Sequence, residues 1–346
     1  MAVLVTGASG YIGSHIVANL LSKGKTVRAT VRDSSDPERV DHLRAMEIEN
    51  GGSLEIVQMD LLDSVSVKKA VSGCKEVIHT AAVVVLNSNR AKEKIVDPSV
   101  VGTKNVLDAI DAAGTVNCLI HTSSTAAIRP RKYADGQVLT TDTWAKDANI
   151  EENPYGYAKY SAEMLVRDWH KTKDESFRMV TINPSVVLGP PLSKRHLRGS
   201  PSFVMMLLNR EIPFVIPMHM SIVDVRDVAE AHVRAITKGE QAGRYLVVSG
   251  QMWWREVAST IKTAHPDLRV PMRQIPYLLS LVVSIFHPRV SLSWALTHLG
   301  KRLFWDATPA EKDLDMEWLS PEQSLLDTIP TILENDWHDG KGRSKK

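Results

Sequence analysis

The chain has 346 residues, with 42 Lys and Arg against 40 Asp and Glu for a formal charge of +2, and is 43% hydrophobic and 24% charged. That is the make-up of an ordinary folded protein of about two domains, and the near-balance of charge argues against nucleic acid or anionic lipid as its main partner. Two cysteines exclude a disulfide framework, no Cys/His spacing suggests zinc, and the longest apolar run, 277–286, is too short for a transmembrane span.

From residue 2 to about 185, short Val- and Ile-rich runs alternate with amphipathic stretches. Strands are predicted at 2–6, 26–31, 54–58, 76–80, 116–122 and 179–183. The helix predicted over 12–23 ends in a basic turn and a glycine, Lys23-Gly24, and Asp63 is placed to cap the helix after it. Such alternation predicts a doubly wound parallel α/β sheet with helices on both faces, and ligands beyond the carboxyl ends of its strands. Past residue 185 the pattern changes. Pro and Gly cluster between 183 and 217, a helix is predicted over 224–238 and a strand over 244–248, and the rest reads as mainly helical. The apolar run 277–286 is expected first as a buried helix, with a pocket cover or a membrane-touching patch as the alternatives, and 341–346 as a solvated basic tail. This divides the chain into a nucleotide-binding domain over 1–185 and a smaller substrate region over 186–340, with some later elements returning to the first sheet. The opening residues lack a charged leader and cleavage site, so a soluble, cytoplasmic protein is expected.

Directly after the first strand stands Gly7-Ala8-Ser9-Gly10-Tyr11-Ile12-Gly13. Glycines at this spacing allow a tight turn and close approach to a pyrophosphate, which the following helix N-terminus would bind through its free N–H groups. Strand, glycine loop and helix together predict a Rossmann-type dinucleotide site. Arg32 ends the second strand, nineteen residues past Gly13, where the adenosine ribose belongs. A guanidinium there favours NADP over NAD, with the adjacent Asp33 as the rival ribose contact. Asp60 and Leu61 follow the third strand as candidate adenine contacts. Thr80, Ala81 and Ala82 follow the fourth, with side chains small enough to admit a dinucleotide.

Thr122-Ser123-Ser124 follows the fifth strand, and Tyr155 and Lys159 lie four apart at the start of a helix. Hydride transfer to a carbonyl needs a proton donor for the developing alkoxide, and a free phenol with a pKa near 10 is slow in that role. A nearby ammonium is expected to lower it. Ser124 would hold the substrate oxygen beside Tyr155, and Lys159 would also hold the nicotinamide ribose. Tyr157 and Tyr160 have no Lys four residues later.

The chain resembles the extended short-chain dehydrogenases/reductases, in the branch of dihydroflavonol and cinnamoyl-CoA reductases. The resemblance rests on the glycine loop, residues 26–33, Gly73-Cys74, Thr122-Ser123-Ser124, Tyr155 with Lys159, the run 183–190 and the run 223–232. It implies that Ser124, Tyr155 and Lys159 are catalytic. It further implies that Gly7, Ser9, Gly10, Tyr11, Ile12, Gly13, Arg32, Asp60, Leu61, Thr80, Ala81, Ala82, Thr122, Pro184, Val186 and Val187 line the cofactor. Pro98-Ser99 stands where many members have a helix asparagine. No Asp-Glu pair follows Thr122, which disfavours a sugar dehydratase.

The reading this supports is an NADPH-dependent reductase of a small-molecule aldehyde or ketone, as a monomer or homodimer. The alternatives are a nucleotide-sugar epimerase, a hydroxysteroid dehydrogenase and a non-catalytic NADP sensor. An epimerase would need Lys194, Arg195 and Arg198 to grip a second diphosphate, whereas a solvated basic loop is the plainer expectation. Pocket walls are expected at 83–89, 126–133, 190–206 and 217–220. Met205, Met206, Met218 and Met220 fit either an adaptable pocket or plain core. His196 and His219 are candidate substrate contacts, with solvation the plainer expectation for a lone histidine in a loop.

Overall fold

Strand segments such as Ala2–Thr6 and Cys118–Thr122 are buried over almost their whole length, which suits a parallel sheet covered on both faces. In the computed structural model, which describes residues 1–81, 90–286 and 292–339, the strands are β1 (Ala2–Thr6), β2 (Thr26–Val31), β3 (Ser53–Gln58), β4 (Cys74–His79), β5 (Cys118–Thr122), β6 (Gln137–Leu139), β7 (Arg178–Pro184), β8 (Val186–Leu188), β9 (His219–Asp224), β10 (Arg244–Val247), β11 (Gly250–Trp253) and β12 (Leu303–Trp305). Seven form one sheet in the order β10-β7-β5-β4-β1-β2-β3, and every pairing in it is parallel. The six strands predicted in the first half are all in it, with ends shifted by up to two residues. β10, from the second half, completes its edge beside β7.

The helices are α1 (Tyr11–Ser22), α2 (Pro37–Arg44), α3 (Ser64–Val71), α4 (Asp97–Ala113), α5 (Pro154–His170), α6 (Ser202–Leu208), α7 (Val225–Ala235), α8 (Trp254–Ala264), α9 (Tyr277–Phe286), α10 (Leu292–His298), α11 (Thr308–Asp313) and α12 (Pro321–Glu334). One face of the large sheet packs on α1, α2 and α7 through residues such as Ile16, Leu20, Leu43 and Val228. The other packs on α3, α4 and α5 through Val67, Val106, Leu107 and Val166. Each fully buried aliphatic side chain contributes about 1.5–3 kcal/mol. Asp63 caps α3 as predicted, its carboxylate accepting from Val65 N at 3.0 Å. Asp224 caps α7 in the same way, at 2.8 Å from Arg226 N.

A separate core lies in the second half, where Val204, Ile222, Trp254, Ile261, Leu325 and Ile329 are buried together. The sequence pattern did not reveal the small sheet β11-β9-β8 at its edge or the pair β12-β6, since runs this short carry little alternation to read. Helix α9 forms where predicted but is not buried. Leu278, Leu279, Val282 and Ile285 are exposed, while Ser280 and Ser284 are among the buried polar residues. An all-apolar run has no polar face by which periodicity could orient it. The expected basic tail at 341–346 and the expected wall at 83–89 lie outside the described residues.

Candidate active site

β1 is flanked by β2 on one side and β4 on the other, so the direction of winding reverses there and a crevice opens beyond the two strand ends. Gly7 turns the chain out of β1 at φ +68°, and a Cβ on it would lie 2.8 Å from Ala81 Cα. A Cβ on Gly13 would lie 2.3 Å from the Gly7 carbonyl oxygen, so α1 can pack against the loop only without a side chain there. The Thr6 hydroxyl oxygen accepts from the N–H groups of Thr80 and Ala81, each at 3.1 Å. The Thr80 hydroxyl donates back to Thr6 O at 2.6 Å. These bonds lock the two strand ends at the crevice. The N-terminus of α1 carries no side-chain cap, which leaves its first N–H groups for an anion.

The crevice is a cleft of about 450 Å³. Of the residues predicted for the site it brings together Gly7, Ser9, Gly10, Tyr11, Ile12, Gly13, Arg32, Asp60, Leu61, Thr80, Ala81, Thr122, Ser124, Tyr155, Lys159, Pro184 and Val187. Two do not join them. Ala82 lies outside the described residues. Val186 is half-buried against the second core, because alternate residues of β8 face opposite ways and its neighbours Ser185 and Val187 take the cleft side. Lining residues that sequence reasoning did not name include Arg39, Met59 and Leu62, while Arg195, Gly199 and Ser200 come from the wall expected at 190–206. Arg39, seven residues past Arg32, was the one with a readable signal.

At the β2 end of the cleft Arg32 is exposed and has no ion pair among the described residues. Asp33 turns away: its carboxylate accepts from Ser35 N at 2.9 Å and Ser35 Oγ at 2.6 Å, and these bonds lower its pKa. Arg39 pairs with Asp36 at 2.9 Å. Arg195 reaches Glu38 at 3.2 Å and Asp36 at 3.6 Å, so it is a strap across to α2 and not part of a solvated loop. Lys194 and Arg198 beside it are exposed as expected. His196 also departs from expectation, being only 3% exposed. Its Nδ1 accepts from Leu192 N at 3.2 Å, which leaves Nε2 as the protonated nitrogen facing the glycine loop. Burial pushes its pKa down to about 3. His219 is half-buried, its ring 4.9 Å from that of Trp253.

The opposite end of the cleft is built on α5. Asn153 caps it, accepting from Gly156 N at 3.0 Å, and Tyr155 and Lys159 follow on one face. Ser124 Oγ accepts from Ala126 N at 3.1 Å, and its hydroxyl bonds the Tyr155 hydroxyl. Desolvation raises the Tyr155 pKa and the Ser124 bond works the other way; the lowering expected from the Lys159 ammonium is not among the causes of the shift, and the net direction is the reverse of that expectation. Lys159 Nζ donates to Thr122 O at 3.1 Å. Burial pushes its pKa down from 10.5 to about 8, opposed by the Glu163 carboxylate.

Glu163 is a hub that sequence reasoning missed, although an acid four residues after a lysine is a readable signal. It is fully buried. Its carboxylate accepts from Ser123 Oγ at 2.6 Å, Asn183 Nδ2 at 3.0 Å and Arg244 Nε at 2.6 Å. Arg244 is stacked 3.5 Å over the Trp144 ring and donates to Thr141 O and Thr143 O at 2.6 and 2.7 Å. The ends of β5, β7 and β10 are thereby tied to the helix that carries Tyr155 and Lys159.

A lysine whose folded pKa lies below its unfolded value costs stability wherever it is charged in the unfolded chain, and the cost fades as pH rises from about 8 to 10.5. Lys159→Met is therefore expected to raise the melting temperature at pH 7, by up to about 3 kcal/mol of stability less the lost bond to Thr122. Thermal unfolding at pH 7 and pH 10 checks it; a gain that does not shrink with pH contradicts a strained lysine.

A sequence profile of the NAD dependent epimerase/dehydratase family matches residues 3–248. The chain is 34% identical over 276 residues to a cinnamoyl-CoA reductase of Medicago truncatula, covering 78% of this chain and 82% of that one. It is 31% identical over 337 residues to cinnamoyl-CoA reductase 1 of Petunia hybrida, covering 96% and 92%. Among solved structures it is similar to Gre2 of Candida albicans in complex with NADPH, with a TM-score of 0.78 and 29% identity over 96% of this chain and 99% of that one.

Proposed function

The chain belongs to the NAD dependent epimerase/dehydratase family, in the branch that holds the cinnamoyl-CoA reductases, and from that premise we propose that it is an NADPH-dependent reductase of aldehydes or ketones, reversible as an alcohol dehydrogenase. The observation that carries the proposal is the convergence of Ser124, Tyr155 and Lys159 on the far end of the cleft from Arg32. We assign residues 1–185 to the cofactor and 186–340 to the substrate, and place the protein in the cytoplasm, in keeping with its two free cysteines.

The residues present fit the dinucleotide. Gly7 and Gly13 have no room for side chains, α1 offers uncapped N–H groups to the pyrophosphate, and Arg32 offers a cation to a 2′-phosphate. When bound, NADPH supplies the hydride. The Tyr155 hydroxyl passes its proton to the carbonyl oxygen as that oxygen gains charge. Ser124 hydrogen-bonds and orients the same oxygen. The Lys159 ammonium, anchored on Thr122 O, steadies the phenolate left behind and takes the ribose hydroxyls. The epimerase alternative needs Arg195 for a second diphosphate, but that side chain is engaged by Asp36 and Glu38.

The test is NADPH oxidation across aromatic aldehydes, aliphatic ketones, flavanonols and steroids. Turnover of a carbonyl supports the reading, and tight NADPH binding without turnover of any of them points to the sensor alternative. Glu163 adds a finer expectation as a positioning residue. Glu163→Gln removes the charge that opposes the fall in the Lys159 pKa, so the alkaline limb of the kcat profile should move down by about one pH unit, with KM for NADPH changing less. An unmoved limb in a folded variant means that Glu163 has a structural role alone.

A further inference from the structure

The near-zero net charge hides a local asymmetry. Between Asp267 and Asp306 there is no acidic residue, in a chain with 40 of them, while Arg269, Arg273, Arg289, Lys301 and Arg302 are all cationic. The same segment carries α9 and α10, which pack on each other. Their outer surface is formed by Leu278 (73% exposed), Leu279 (47%), Val282 (51%), Ile285 (59%), Leu292 (39%) and Leu296 (48%). The inward side of α9 holds Ser280 and Ser284, whose hydroxyls are spent on Pro276 O at 3.1 Å and Leu281 O at 2.7 Å. Leu281 and Val283 also pack on the second core, so the exposed apolar residues form a second face of the helix that the fold leaves unburied, where a surface helix ordinarily carries polar residues. Contiguous exposed apolar patches of this kind mark interaction sites.

We propose that the α9–α10 face docks the protein on a membrane surface with anionic headgroups, as a peripheral and not a spanning contact. With ten residues, α9 is about 15 Å long, half of a hydrocarbon core of about 30 Å. Among the described residues no helix is long and apolar enough to cross a membrane. Lying in the plane of the interface, the leucines, valine and isoleucine enter the boundary between headgroups and acyl chains, and the exposed Arg269 and Arg273 meet lipid phosphates. Arg302 contributes less, being paired with Asp135 at 2.9 Å. Charge also selects against a second copy of the chain. A two-fold interface places the same patch against itself, and so sets Arg269 and Arg273 against their own copies, with no acidic residue in the segment itself to answer them.

The test is co-sedimentation of the full chain with phosphatidylcholine vesicles and with phosphatidylcholine/phosphatidylserine vesicles, at low and high salt. Wild type should bind the anionic vesicles at least tenfold more tightly than the neutral ones, and less at high salt. Leu278→Glu with Val282→Glu should lose at least tenfold, and Arg269→Glu with Arg273→Glu should lose the preference for anionic lipid. Both pairs are exposed, so melting temperature and particle mass should stay at the wild-type values. Equal binding to both vesicles, or undiminished binding by the leucine–valine variant, overturns the proposal. So does a dimeric mass in wild type that this variant reduces to a monomer. Binding needs no NADPH or carbonyl, so the result is independent of whether the reductase assignment holds.

Discussion

Tyr155→Phe is expected to lower turnover of a carbonyl substrate by about a hundredfold or more while NADPH affinity changes little. The ring keeps its packing on α5, and only the hydroxyl bonded to Ser124 is lost. In free-energy language, kcat and kcat/KM should fall together, as they do when an interaction made in the transition state is removed. Ser124→Ala should follow the same direction with a smaller loss, because its proposed part is to orient the oxygen without supplying the proton. Steady-state kinetics with fluorescence titration of NADPH checks both variants. Near-normal turnover of Tyr155→Phe, under conditions where chemistry limits the rate, would remove Tyr155 from its role.

Arg32 governs the second large effect. Arg39 and Arg195 already face the carboxylates of Asp36 and Glu38, which offsets their charge, whereas Arg32 has no ion pair among the described residues. If it pairs with the 2′-phosphate, Arg32→Ser removes a charge-assisted contact worth about 1.5–3 kcal/mol. NADPH should then bind roughly ten- to a hundredfold more weakly, with NADH nearly unaffected. Arg32→Asp should go further by repelling the phosphate and offering the ribose an acceptor. Dissociation constants of both cofactors for the three proteins decide it. Equal losses for NADPH and NADH, or a wild type that prefers NADH, would instead make Arg32 an adenine or surface contact.

The first half of the chain was legible because its strands are short, Val- and Ile-rich and each followed by a recognisable run at the cleft. Gly7, Arg32, Asp60, Thr80 and Thr122 all fall at strand ends that line the cleft. What sequence could not supply was the environment of those residues. Lys159 is named by its spacing from Tyr155, but its depressed pKa comes from burial and Glu163. Tyr155 likewise feels desolvation more than any neighbouring charge. His196 and Arg195 sit in a loop that reads as solvated. The partners of Arg195, Asp36 and Glu38, are set by how the second half folds back on α2, and the burial of His196 comes from the same packing. The exposed face of α9 was illegible for a different reason, since a continuous apolar run has no phase.

The account stands most directly on whether a hydride passes from the cofactor to a carbonyl carbon in this cleft. The decisive measurement is reduction by NADPH deuterated on the transferring face of its nicotinamide C4, with an aromatic aldehyde or aliphatic ketone found to be turned over. Deuterium is expected on the carbinol carbon of the product, one atom per NADPH consumed, and at least a hundredfold slower in Tyr155→Phe. Consumption of NADPH without label in the alcohol, or equal rates in the two proteins, would contradict hydride transfer with Tyr155 as proton donor.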